Sequence, residues 1–154
     1  KMAQVADSIE WWSNALIQYS EDGETWEECS PNLASVDVSG GERRTGEVSV
    51  FGSDSDVIGT GSRQPVEITF RLIFQNSAVS FWQTIQDAYE DNSDIYFRWF
   101  PGGGVEGDLG MESNSGRIVR PPTPAQGDAS NAAPLTCEFM FRTDEINGAV
   151  YATS

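Results

Sequence analysis

Between residues 66 and 99 the chain alternates, turns helical, and alternates again. Val66, Ile68, Phe70, Leu72 and Phe74 take turns with Glu67, Thr69, Arg71, Ile73 and Gln75, the period of two that marks a strand with one buried face. Ser77 can cap a helix in which Val79, Trp82, Ile85 and Tyr89 recur at helical spacing, with Phe81 and Ala88 widening the stripe. The spacing predicts a helix from Ser77 to about Asp91 that buries Val79, Trp82, Ile85 and Tyr89 against a sheet. After the polar stop Asp91-Asn92-Ser93-Asp94, alternation returns in Ile95, Phe97 and Trp99 against Tyr96, Arg98 and Phe100.

Elsewhere the pattern is β throughout. Ala15, Ile17 and Tyr19 alternate, an Asp22-Gly23 turn follows, and Thr25 to Cys29 reads as the return strand of a hairpin. Leu33 to Ser39 is a further strand ending at Gly40-Gly41, and Thr45 to Phe51 another, with Val48 and Val50 expected inward. Residues 52 to 62 and Pro101 to Ser115 read as long loops without a core pattern, and such loops are usually functional or disordered. Arg117 to Arg120 is a short strand that Pro121-Pro122-Thr123-Pro124 is expected to stop. Leu135 to Arg142 is the last clear strand, and the stretch from Asp144 is polar. The fold class is therefore mainly β with one α-helix. A single domain over 15–146 is expected, with an N-terminal arm at 1–14 and a C-terminal tail at 147–154.

Charge narrows the function. The net charge is −15, and Lys1 is the only lysine, so a nucleic-acid grip or an anionic membrane surface is excluded. Such acidity suits either plain solubility or a high-salt environment. No apolar run approaches the roughly 20 residues of a membrane span, and the N-terminus shows no charged-then-apolar signal pattern. With no histidine, a Ser-His-Asp or Cys-His arrangement is impossible. Cys29 and Cys137 lack CxxC spacing in a chain without histidine, so no zinc site is expected, and a pair of buried reduced thiols is expected over a disulfide. Asp54, Asp56, Glu106 and Asp108 lack the Ca²⁺-loop series and read as solvated acids. Gly102-Gly103-Gly104 lacks the lysine of a phosphate loop. No enzyme, cofactor or metal is expected. Trp82 and Trp99 read as core, while Trp11, Trp12 and Trp26 suit packing, an interface or a sugar platform.

Four stretches carry a resemblance over residues 15 to 146. They are Asp22-Gly23-Glu24-Thr25-Trp26, Ser39 to Glu47 leading into a strand and loop, Pro65 to Tyr89, and Gly116-Arg117-Ile118-Val119 with its proline loop and the strand Leu135 to Arg142. In this order they resemble the major tail protein (tail tube protein) family of long-tailed, siphovirus-like viruses of bacteria or archaea. The Pro101–Ser115 loop and the acidic balance depart from the pattern without contradicting it.

The resemblance implies a β-sandwich or rolled antiparallel sheet of the tail-tube type with one flanking helix. It implies homo-hexameric rings that stack into a hollow tube, with tape measure, terminator and distal tail proteins as partners. Genome DNA would pass through the lumen without specific binding, in a virion tail assembled in the host cytoplasm. Under that reading Glu47, Glu67 and Glu138 are lumen-facing candidates of a net-negative bore, and Arg71, Arg98 and Arg142 are expected to pair with acids. Asp54, Asp56, Val57 and Ile58 are candidates for inter-ring contact. Two alternatives stay open: another ring protein of the tube fold (terminator, distal tail or secretion tube), and a monomeric carbohydrate-binding β-sandwich module.

Overall fold

A computed structural model describes residues 15–49, 51–52, 55, 57–73, 79–124 and 136–152. In chain order the strands begin with β1 (Leu16–Ser20), β2 (Glu27–Glu28), β3 (Leu33–Gly40), β4 (Arg43–Val48), β5 (Val57–Arg63) and β6 (Val66–Ile73). The helix α1 (Val79–Asp91) follows. After it come β7 (Tyr96–Phe100), β8 (Leu109–Ser113), β9 (Gly116–Pro124), β10 (Thr136–Thr143) and β11 (Ile146–Val150). A five-stranded sheet runs β11-β8-β7-β1-β2, a four-stranded sheet runs β3-β6-β10-β9, and β4–β5 form a ribbon of their own.

The alternating strands supply the core, as their period predicts. Val66, Ile68, Phe70 and Leu72 of β6 and Cys137, Phe139 and Phe141 of β10 are buried on one face of the four-stranded sheet. Against them lie Ile17 and Tyr19 of β1 and Phe97 and Trp99 of β7. The two sheets meet through aromatic rings: Phe70 is 4.6 Å from Phe97 and 5.0 Å from Phe139, and Phe97 is 4.9 Å from Phe141. Offset and edge contacts of this kind add to the gain from area burial alone. The result is a sandwich closed on one side by the helix.

The helix forms where expected but docks on a stripe turned from the expected one. Phe81, Ile85 and Ala88 are buried, Trp82 is only partly covered, and Tyr89 is 41% exposed. Both stripes contain Ile85, so periodicity alone fits either. Phe81 decides between them, because its ring reaches Tyr19 and Phe139 at 5.0 and 5.9 Å. Val79 opens the helix, but its side chain, like Ser77, lies outside the described residues. The helix ends on Asn92, whose φ of 53° lets the amides of Asn92 and Ser93 close back on the carbonyls of Tyr89 and Ala88.

The structure corrects several expectations. Residues 57–63 are not loop but strand β5, paired with β4 in register Thr45↔Thr60 and Glu47↔Ile58. Val48 is 57% exposed rather than inward, and Val50 lies outside the described residues. The prolines do not stop the strand, since β9 runs on to Pro124. As an edge strand bonded, among the described residues, only to β10, β9 tolerates missing N–H groups. Strand β8 occupies the second presumed loop, and β11 pairs with it from Ile146↔Ser113 to Val150↔Leu109. The boundary after residue 146 therefore falls inside a strand. The arm at 1–14 lies outside the described residues.

Candidate assembly surfaces

The outer face of the four-stranded sheet is polar because the strand period puts every second residue there. Register then arranges these side chains in cross-strand rows. One row reads Ser35, Arg71, Glu138, Thr123; the next Asp37, Thr69, Met140, Arg120; the third Ser39, Glu67, Arg142, Arg117. Two of the lumen candidates, Glu67 and Glu138, thus share a face, whereas Glu47 stands exposed on the ribbon. The face is not acidic. It carries Asp37, Glu67 and Glu138 against Arg71, Arg117, Arg120 and Arg142, close to balance in a chain of net charge −15.

Each row handles its charge differently. Arg71 donates from Nε and Nη2 to the same Glu138 oxygen at 3.2 and 2.6 Å. That hydrogen bond, with the fields of Arg71 and Arg120 behind it, holds the Glu138 carboxyl below its usual range. Glu67 lies directly opposite Arg142. Arg117 donates to Asp94 at 2.7 Å and to the carbonyl of Asn92. Asp37 and Arg120, at the two ends of the middle row, are exposed and in no ion pair among the described residues.

Arg98, the third arginine expected to meet an acid, does something else. It lies on the outer face of the five-stranded sheet, stacked 4.3 Å from Trp26 and within 5.7 Å of Tyr151, with Nε donating to Gln18 at 2.7 Å. Burial under these rings lowers its pKa, against the field of Glu112 opposite. Phe100, on the nominally polar face, is fully buried because Tyr151 covers it at 5.1 Å. Trp26 is thereby taken up in packing, and Trp11 and Trp12 lie outside the described residues.

The ribbon is the second surface. It prolongs β3 and β6 beyond the sheet, and no residue of β4 is buried. Its exposed apolar side chains are Val48, Phe51 and Ile58; Val57 begins β5 but its side chain, like Asp54 and Asp56, lies outside the described residues. The neck is built from Gly40 and Gly41, both at φ above 80°, facing Gln64 and Pro65. A Cβ on Gly40 would run into the Pro65 carbonyl oxygen, so only glycine fits there. Arg63 clamps the base of the ribbon, its Nη1 reaching Glu145 at 3.2 Å and Asn147 at 3.0 Å. Glu145, which also accepts from Asn147 and Asn114, is held below its usual pKa.

Chemistry finds little purchase here. Cys29 and Cys137 are free and buried, and burial pushes the Cys29 thiol up, away from the reactive thiolate. The surface depression beside Tyr19 gathers Glu21, Asp22 and Glu27, but the Tyr19 hydroxyl donates to Glu27 at 2.7 Å and Asp22 is committed to its own turn.

Compared by sequence, the chain matches no family model and no curated protein. Compared by structure, it is similar to the SPP1 tail tube, with a TM-score of 0.66 at 12% identity over 94% of this chain and 81% of that one. It is also similar to a chain of the anti-feeding prophage cap, described as a tube-terminating cap, with a TM-score of 0.59 at 16% identity over 97% and 99%. A third likeness is to the tail of an empty GTA particle refined with C6 symmetry, with a TM-score of 0.59 at 12% identity over 94% and 100%. At these identities the likeness establishes the fold, and the fold is of the tail-tube type.

Proposed function

We propose that this chain is a structural subunit of a tail tube, assembling as hexameric rings that stack into the conduit for a genome. The bare ribbon carries the reading. A two-stranded hairpin without a packed face is marginal in water, and this one exposes Val48, Phe51 and Ile58. It becomes sensible when a neighbouring subunit supplies the missing face. The shared fold with tube, cap and tail chains supports the same reading, and none of those is named as an enzyme.

In the assembly we place the polar face of the four-stranded sheet toward the bore. The helix, which packs through Phe81 on the opposite face of that sheet, then lies on the outside. The ribbon leaves along the β3–β6 direction to reach the adjoining ring. Tape measure, terminator and distal tail proteins are the partners this role requires. DNA would slide along a wall whose arginines are matched by acids, so that few sites hold a phosphate.

The likeness to a tube-terminating cap favours one second reading, a ring protein that ends a tube instead of forming it. Negative-stain microscopy of the purified protein separates the two. Hollow tubes are expected; single rings would point to the cap role, and monomers at every concentration would overturn both.

A further inference from the structure

The middle row of the polar face is the only one of the three whose charges sit at opposite edges of the sheet. Asp37 on β3 and Arg120 on β9 are separated by Thr69 and Met140 in the same row. Three strand spacings put them on the order of 14 Å apart, too far to pair within one chain. The row above settles its charge internally through Arg71 and Glu138. The row below sets Glu67 opposite Arg142 and ties Arg117 to Asp94. Asp37 and Arg120 stand exposed with opposite sign on the two outer strands of one sheet, neither in an ion pair among the described residues, although the field of Arg120 reaches Glu138.

We propose that Asp37 of one copy pairs with Arg120 of the next, and that this pair sets the register of the seam between subunits. The inference rests on the ring reading above. Neighbouring strands in the sheet are all antiparallel, so a following copy in the same orientation presents β3 antiparallel to β9, as the sheet's own order demands. Such a head-to-tail contact closes into a ring when the rotation between copies returns the last to the first. It brings cross-strand neighbours to about 5 Å between Cβ atoms. Pro121, Pro122 and Pro124 leave β9 short of N–H donors, so main-chain bonds alone fix the alignment poorly. A slip of two residues would set Arg120 opposite Ser35 or Ser39 and break its contact with Asp37.

The test uses two charge reversals in the full chain, Asp37→Arg and Arg120→Asp. Both positions are exposed, and circular dichroism checks that each variant folds. Either alone puts like charges at every seam, and the protein concentration at which rings form should rise roughly tenfold or more. Mixing the two single variants should restore assembly, because alternating copies then meet with opposite charges at each seam. The double variant should also assemble. Rings forming from either single variant at the parent concentration would overturn the contact while leaving the tube reading intact. So would a failure of the mixture to recover. A parent that forms no rings would overturn the tube reading itself, and the seam with it.

Discussion

Phe81 sits where helix and sheets meet, and its removal has a calculable cost. Replacing it by alanine empties the space between Tyr19 and Phe139 and should cost about 3–5 kcal/mol, read as a lower urea midpoint. Tyr89→Ala, at a position 41% exposed, should shift stability by no more than about 0.5 kcal/mol. Equal losses would mean that the helix docks by its other face. Asp22 offers a pH test. Its carboxylate accepts from the amides of Thr25 and Glu24 at 2.8 Å and from the Ser20 hydroxyl at 2.9 Å, and these bonds lower its pKa from 3.8 to about 2. With the folded value below the unfolded one, the stabilisation is complete above about pH 4 and is lost as pH falls toward 2. The urea midpoint of the parent should therefore fall more steeply over that window than that of Asp22→Asn; parallel curves would count against the turn geometry.

At the scale of elements, the ribbon is separable from the body. Joining Arg43 to Arg63, which face each other across the neck, through a two-residue Asn-Gly turn should leave a folded monomer within about 0.5 kcal/mol of the parent. It should no longer stack into tubes. Unfolding of the shortened chain, or normal tubes from it, would contradict the ribbon's role. The same element shows why part of the fold was legible in the sequence and part was not. Strands β1, β6, β7 and β10 bury one face, and alternation revealed them. Periodicity reports burial rather than extension, so β5 and β11, which have little buried against them, left no such mark. The prolines of β9 hid the continuation of a strand already read at Arg117 to Arg120, for a related reason: they forbid a central position, not an edge. Glu67 and Glu138 were legible as polar-face residues, but which arginine stands opposite each follows from register, which a single strand does not encode.

At the scale of the molecule, the charge is segregated. The outer face of the four-stranded sheet is nearly balanced, whereas Glu21, Asp22, Glu24, Glu27 and Glu28 crowd the β1–β2 turn and Asp87, Glu90, Asp91 and Asp94 the end of the helix. Acids at a helix C-terminus oppose its dipole, and the clusters repel one another. Raising NaCl from about 0.01 to 0.3 M shortens the screening length several-fold, so the thermal midpoint of the monomer should rise. A falling midpoint would mean that the surface pairs of Arg63, Arg71 and Arg117 outweigh the repulsion.

The sheet order has a consequence for synthesis. Among the described residues strand β9 is held in its sheet only by β10, and β10 in turn completes the ladder on β6. Neither pairing can form until the chain has been translated to Thr143, and β1 waits on β7 from the other half of the molecule. Topologies with such distant partners fold slowly, over milliseconds to seconds. Under the seam proposed above, a nascent chain translated no further than α1 carries β3 but no β9 to meet it, so two such chains cannot join through that seam.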